Sequence, residues 1–394
     1  MPSTSDLLEF IDNARKYGFI RIVSSTDLDS LLASGVLLKT LVDNGVSAVL
    51  NLDPKVVLDE KDEPTLVINL PLTIERKNVF NMVFDENSST TALVVHTLDK
   101  VFKISKWAKT VALVAGVYRW LDVGKEGFRG LEKYLLEELV SSNHVIREIG
   151  FKLPGWRKIS LAKSIYRSLL PYLPGYSGRW DNVVNLVRNV FGNVDVEKFL
   201  GSEVFDRKDS AAINELLRKI DRSLEYLGED IRKKIMYRLV GYVYHIDFNG
   251  VITDFIEIIN ALSLVLSIDR RNPIYIAMIG FNKEFLAETL YIYGELIEDR
   301  VQLVSEAIEN YVSGKTRIIG FEKGFERPEL IIDILYFLNK IPSDKVLCIN
   351  IGGELLTNVS ILLKQGFKQE EVFTFCDENQ ICRVRGSGEG LLKA

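Results

Sequence analysis

The chain has 394 residues, 47% of them hydrophobic and 26% charged, and its 49 Lys and Arg against 54 Asp and Glu leave a net charge of −5. That length exceeds one ordinary core and predicts two or three domains. The charge balance excludes an overall basic field, so any nucleic-acid contact has to come from local clusters of Lys and Arg. No apolar run reaches the about 18–20 residues of a membrane span, and the opening "MPSTSDLLEF" has no signal-peptide profile. The 3 cysteines, Cys348, Cys376 and Cys382, fall late and are odd in number. That argues against a disulfide framework or a cysteine zinc site, and for the cytoplasm. The 3 histidines, His96, His144 and His245, are scattered, which argues against a His-rich metal cluster.

In chain order, "FIRIVSS" predicts a first strand, and Leu31, Val36, Leu37, Leu41 and Val42 mark the buried face of the helix after it. "SAVLNL", "TLVINL" and "VFNMVF" follow as strands. Behind Ser89, Val94, Leu98, Val101 and Phe102 recur at helical spacing after Ser and Thr that can cap. "TVALVAGVYRWL" is apolar throughout and fits a buried helix or a strand equally. This alternation predicts an α/β unit with a mainly parallel sheet, whose ligands bind beyond the carboxyl ends of the strands. Asp27, Asp29, Asn69 and Asp85 fall at or just after such ends.

A Pro- and Gly-punctuated stretch covers 150–180. Beyond it, Ile213, Leu216, Leu217, Ile220, Leu224 and Leu227 form one helical stripe between a cap at Asp209–Ser210 and a stop at Gly228. A second apolar-rich half begins near residue 250 with "EIINALSLVLSI", "NPIYIAMIGF" and "DKVLCINIGG".

The residues after the first strand, "SSTDLDSLLAS", resemble the opening motif H-x-D-x-D-G-x-x-S-A of the DHH phosphoesterases, which include the RecJ-type single-strand exonucleases. Asp27 and Asp29 match its aspartates, while Ser25 stands for the histidine and Ser30 for the glycine. The second motif ends a strand in aspartate where "TLVINLPL" has Asn69. The third is Asp-His-His where this chain reads Asp85-Glu86-Asn87, and the fourth brings an aspartate where "AGVYRWLD" has Trp120. "GFKLPGWRKISLAKSIYRSLLPYLPGYSG" resembles the RecJ-like segment that ends in a Pro-Gly-x-Ser-Gly turn. "LVGYVYHI" and "EIINALSLVLSIDRRNPIYIAMIG" resemble the entry into the DHH-associated C-terminal domain, whose closing Gly-Gly-Gly-His loop has no counterpart in "RVRGSGEGLLKA".

The resemblance implies three parts: a degenerate DHH-type parallel-sheet domain over 1–182, a helical connector over 183–249, and a smaller α/β DHH-associated domain over 250–394. A two-metal phosphoesterase holds its ions about 3.5–4 Å apart with several carboxylates and imidazoles. Of the implied ligands only Asp27, Asp29 and Asp85 keep their type. The implied state is a pseudo-enzyme with no cofactor. The alternative is a Mn²⁺- or Mg²⁺-dependent single-strand exonuclease or small-phosphoester hydrolase using those three, with Glu86 as a further oxygen ligand. Apart from any metal, Asp27 and Asp29 can act as helix caps, Asp85-Glu86-Asn87 as a polar loop, and Trp120 as a plug in the floor of the former site.

Such ligand loss resembles the replication branch of the family, with cell division cycle protein forty-five and its archaeal RecJ-like counterparts. That branch implies binding to the GINS complex, to the MCM helicase through it, and to single-stranded DNA, at replication forks on the nucleoid. The nucleic-acid candidates are Lys152, Trp156, Arg157, Lys158, Lys163 and Arg167, interleaved with Tyr166, Tyr172, Tyr176 and Trp180, and the pair Arg270–Arg271. The competing reading makes the aromatics a packed domain junction.

Overall fold

The computed structural model describes residues 4–384 apart from 59–61, 74–75, 84–86, 249, 317 and 342–345. In its first half, β1 (Phe19–Ser24) pairs in parallel with β2 (Ser47–Asn51) and β3 (Thr65–Ile68), and β3 with β4 (Val79–Met82). The strand order is β2-β1-β3-β4. The helices are α1 (Thr4–Tyr17), α2 (Leu28–Asp43), α3 (Thr90–Leu98), α4 (Lys106–Tyr118) and α5 (Gly130–Ser141). Polar caps start three of them: Asp27, Ser89 and Ser105 accept the backbone N–H of Ser30, Ala92 and Ala108 in turn. "TVALVAGVYRWL" becomes α4. Every residue from Ala108 to Tyr118 is buried, so its apolar pattern has no period to read. Two positions of the expected stripes face outward instead: Val42 is 46% and Val101 51% exposed.

The short pair β5 (Asp122–Val123) and β6 (Gly127–Phe128) precedes β7 (Ile146–Phe151). Then come α6 (Leu161–Tyr166), α7 (Trp180–Phe191), α8 (Gly201–Asp206), α9 (Ser210–Ser223) and α10 (Glu229–Tyr237). The segment 183–249 is not wholly helical. It closes in β8 (Val240–Phe248), which joins β7 on one side and β9 (Val251–Asp254) on the other, both antiparallel.

The remaining helices are α11 (Phe255–Ile268), α12 (Asn272–Phe281), the long α13 (Glu284–Val312), α14 (Glu329–Phe337), α15 (Val359–Lys364) and α16 (Gln369–Phe375). A second four-stranded sheet runs β10 (Ile319–Phe321), β11 (Ile349–Ile351), β12 (Glu354–Asn358), β13 (Ile381–Arg383), parallel at its first pair and antiparallel after.

The halves share cores. Ile20, Ile22, Leu66 and Ile68 face the main core on one side of the first sheet. Val23 and Val67, pointing the other way, pack with Val359, Leu362, Val372 and Phe373 from α15 and α16. α2 and α12 touch backbone to backbone: a Cβ on Gly35 would sit 1.8 Å from the Ala277 carbonyl oxygen, and one on Gly280 2.6 Å from that of Leu32. One cysteine expectation fails, because Cys376 and Cys382 are joined in a disulfide across a six-residue separation. Their chain segments lie side by side as an antiparallel bridge, a proximity that counting cysteines does not reveal. Among the described residues no helix is long and apolar enough to cross a membrane.

Candidate functional site

The first strand delivers Ser24 and Ser25 to the carboxyl edge of the parallel sheet, where the chain turns into α2. Asp27 takes the extended cap conformation and its carboxylate accepts from Ser30 N at 3.1 Å and Ser30 Oγ at 2.5 Å. Asp29, two residues on, is fully buried and points the other way, at the start of α3. Its carboxylate accepts from Thr90 N at 2.9 Å, Thr91 N at 3.0 Å and Thr91 Oγ1 at 2.8 Å. Both oxygens thereby satisfy free N–H groups of α3, at the positive end of that helix. Burial raises the Asp29 carboxyl above its ordinary value, and the Asp27 charge adds to this; the Arg119 guanidinium and the Thr91 and Thr90 amides oppose it.

Asn69 stands at the end of β3 with φ of 53°. Its Nδ2 donates to Ser30 Oγ at 2.8 Å and Thr90 Oγ1 at 2.7 Å, tying α2 to α3, while its Oδ1 is buried without a partner. Ser25 Oγ is likewise buried and unpartnered. Asp85 and Glu86 lie outside the described residues. Asn87 lies against Gly130, where an added Cβ would come within 2.5 Å of the Asn87 carbonyl oxygen. Trp120, with φ of 59°, turns its ring onto Phe337 at 5.1 Å between centroids and lies 4.3 Å below the Arg238 guanidinium.

The second half enters the same site, which the sequence reading did not anticipate. Thr26 Oγ1 donates to Glu329 Oε1 at 3.0 Å, and Glu329 is itself held by the fully buried Arg327. Tyr118 OH donates to Asp333 at 3.0 Å. Glu329, Asp333 and Phe337 recur every fourth residue, so one stripe of α14 faces Thr26, Tyr118 and Trp120. Burial, with the charges of Asp27 and Glu329, pushes Asp333 up to about 8. Gln380, with φ of 61°, closes the sheet edge: its Nε2 donates to Ser24 O at 2.5 Å and Leu52 O at 2.7 Å. Glu132 was also missed. It accepts from Ser89 N at 2.6 Å, fully buried, and burial pushes it up to about 7. Among the described residues no three His, Cys, Asp or Glu side chains converge as metal ligands. Asp27 and Asp29, the two candidate ligands among the described residues, are each engaged as helix caps.

The other predicted set is brought together by pairing. Lys152, 4% exposed, holds Asp122 at 2.6 Å. Arg157 pairs with Glu148, Lys158 with Glu257 at 2.5 Å, Lys163 with Glu197 at 3.3 Å and Arg167 with Glu298. Arg270 pairs with Glu354 at 3.4 Å and Arg271 with Asp269 at 3.3 Å, away from the others. Trp156, Tyr166 and Tyr172 are buried: Trp156 packs on Gly150 of β7 and His245 of β8, and the two tyrosines hydrogen-bond residues of α13.

No family model matches the sequence, and no curated protein does. Solved structures match it. CDC45 from Entamoeba histolytica superposes with a TM-score of 0.59 at 11% identity, over 94% of this chain and 90% of that one. The chain has the CDC45 fold. Exonuclease RecJ bound to manganese aligns over 90% of this chain and 82% of that one at 10% identity, with a TM-score of 0.37. The CDC45 fold agrees with the α/β, RecJ-like architecture implied by the ordered motifs, and here its sheet edge is packed with side chains from both halves.

Proposed function

We propose that the chain is a non-catalytic RecJ-like subunit of an archaeal replicative helicase assembly, a scaffold for the GINS complex and the MCM helicase at replication forks. The supporting observation is the commitment of the two surviving carboxylates among the described residues: both Asp29 oxygens are spent on α3, and Asp27 on α2. Hydrolysis by two ions needs carboxylates free to coordinate, whereas these act as structural caps. α14 and Gln380 both hydrogen-bond the chain at the carboxyl edge of the first sheet. What remains to such a fold is its surface. Co-purification with GINS and MCM across a range of salt concentrations tests this; elution apart from GINS at every salt concentration contradicts it.

Single-stranded DNA is the further ligand of this reading. Contact through Arg157 and Lys158 has to exchange Glu148 and Glu257 for phosphates. Reversing both charges then weakens oligonucleotide binding and flattens its salt dependence by about 0.7 per lost contact. Unchanged binding makes those cations structural.

A further inference from the structure

Beside Trp120 lies a pair of cations for which the described residues show no ion pair of their own. On α10, Arg232 pairs with Asp221 at 3.0 Å and Lys233 with Glu229 at 2.5 Å. Lys234 and Arg238, four residues apart on another face, lie over aromatic rings instead. The Arg238 guanidinium is 4.3 Å from the Trp120 centroid and 5.6 Å from that of Phe337, and Lys234 Nζ is 5.9 Å from the latter. Arg238 Nη1 is buried without a hydrogen-bond partner. The carboxylate that acts on Arg238, Asp122, is already taken by Lys152 at 2.6 Å. Burial pushes Arg238 down to about 10; burial and then the Arg238 charge lower Lys234.

Like charges one turn apart, partly desolvated, destabilise a helix. An anion from outside removes that cost. The fork is already oriented by its rings, as a bidentate carboxylate requires. Next in sequence to Arg238 and Phe337, Tyr237 and Tyr336 are 52% and 67% exposed. Trp and Arg together are what the centre of a protein interface uses. Nucleic acid fits less well, because the Trp120 ring, engaged by Arg238 and Phe337, offers no platform for a base.

We propose that Lys234, Arg238 and Trp120 form the centre of a docking surface for an acidic segment of a partner protein, its carboxylate seated between the two cations. This rests on the scaffold reading. The test measures affinity for purified GINS, for a glutamate-rich peptide and for an oligo-dT strand, using the full chain and its K234E/R238E variant. The milder Lys234→Gln serves if the double variant fails to fold. Loss of GINS and peptide binding by about tenfold or more, with oligo-dT binding unchanged, supports the surface. Unchanged GINS and peptide binding overturns it, and so does a loss confined to oligo-dT. A wild-type chain that ignores GINS contradicts the scaffold reading alone; the peptide then decides the surface, and its failure to bind wild type overturns this proposal.

Discussion

Asp29→Ala separates a structural carboxylate from a metal ligand. The change leaves Thr90 N and Thr91 N without their acceptor, at a position with 0% exposure, while Thr91 Oγ1 keeps the Asp29 carbonyl oxygen at 3.0 Å. Each buried donor left unmade costs about 1–3 kcal/mol. Removing a carboxylate that burial already disfavours returns part of that, as its raised pKa implies. The net expectation is a loss of about 2–4 kcal/mol, a large share of the roughly 5–15 kcal/mol of a folded domain. Asp29→Asn, which keeps one acceptor oxygen, falls between. Urea unfolding followed by far-UV circular dichroism, in EDTA, measures both. If Asp29 instead served a metal, removing it from the metal-free protein relieves its repulsion with Asp27, and stability stays level or rises. That result refutes the reasoning.

Further outcomes follow from the same geometry. Gly35→Ala drives a methyl toward the Ala277 carbonyl at 1.8 Å; a loss of about 3 kcal/mol or more is expected in thermal unfolding, and a neutral change contradicts the α2–α12 contact. Glu132 holds its proton more tightly folded, at about 7, than its ordinary 4.5. Its contribution is complete below about pH 4.5 and is lost as pH rises through about 7, up to roughly 3 kcal/mol by linkage. Glu132→Gln flattens that part of the stability–pH curve; an unaltered slope refutes the assignment. Gln380→Ala frees Ser24 O and Leu52 O, so amides around β1 and residues 376–382 exchange faster with deuterium. Unchanged protection contradicts the closing role.

The strands were legible because β1 and β3 are short apolar runs bounded by polar turns, and burial on both faces keeps them apolar. Caps were legible too, since Asp27 and Ser89 act on residues three positions away. What Asp29 does was not. Its partners, Thr90 and Thr91, are 61 and 62 residues distant, and only the packing of α2 on α3 joins them. Gln380 reaches Ser24 across 356 residues, and nothing local marks it as a plug. The basic residues of 152–167 looked like a track because sequence shows cations but not their carboxylates, which come from β7, α11 and α13. Lys234 and Arg238 sat in an ordinary charged helix, and only the rings they lie over set them apart.

The central claim is that the remnant site does no hydrolysis. Incubating the purified chain with 5′-labelled single strands and with a small phosphodiester in Mn²⁺ tests it most directly. No release of product above a metal-free control is predicted. Mn²⁺-dependent turnover that co-elutes with the chain and disappears in the cap-preserving Asp27→Asn variant contradicts it.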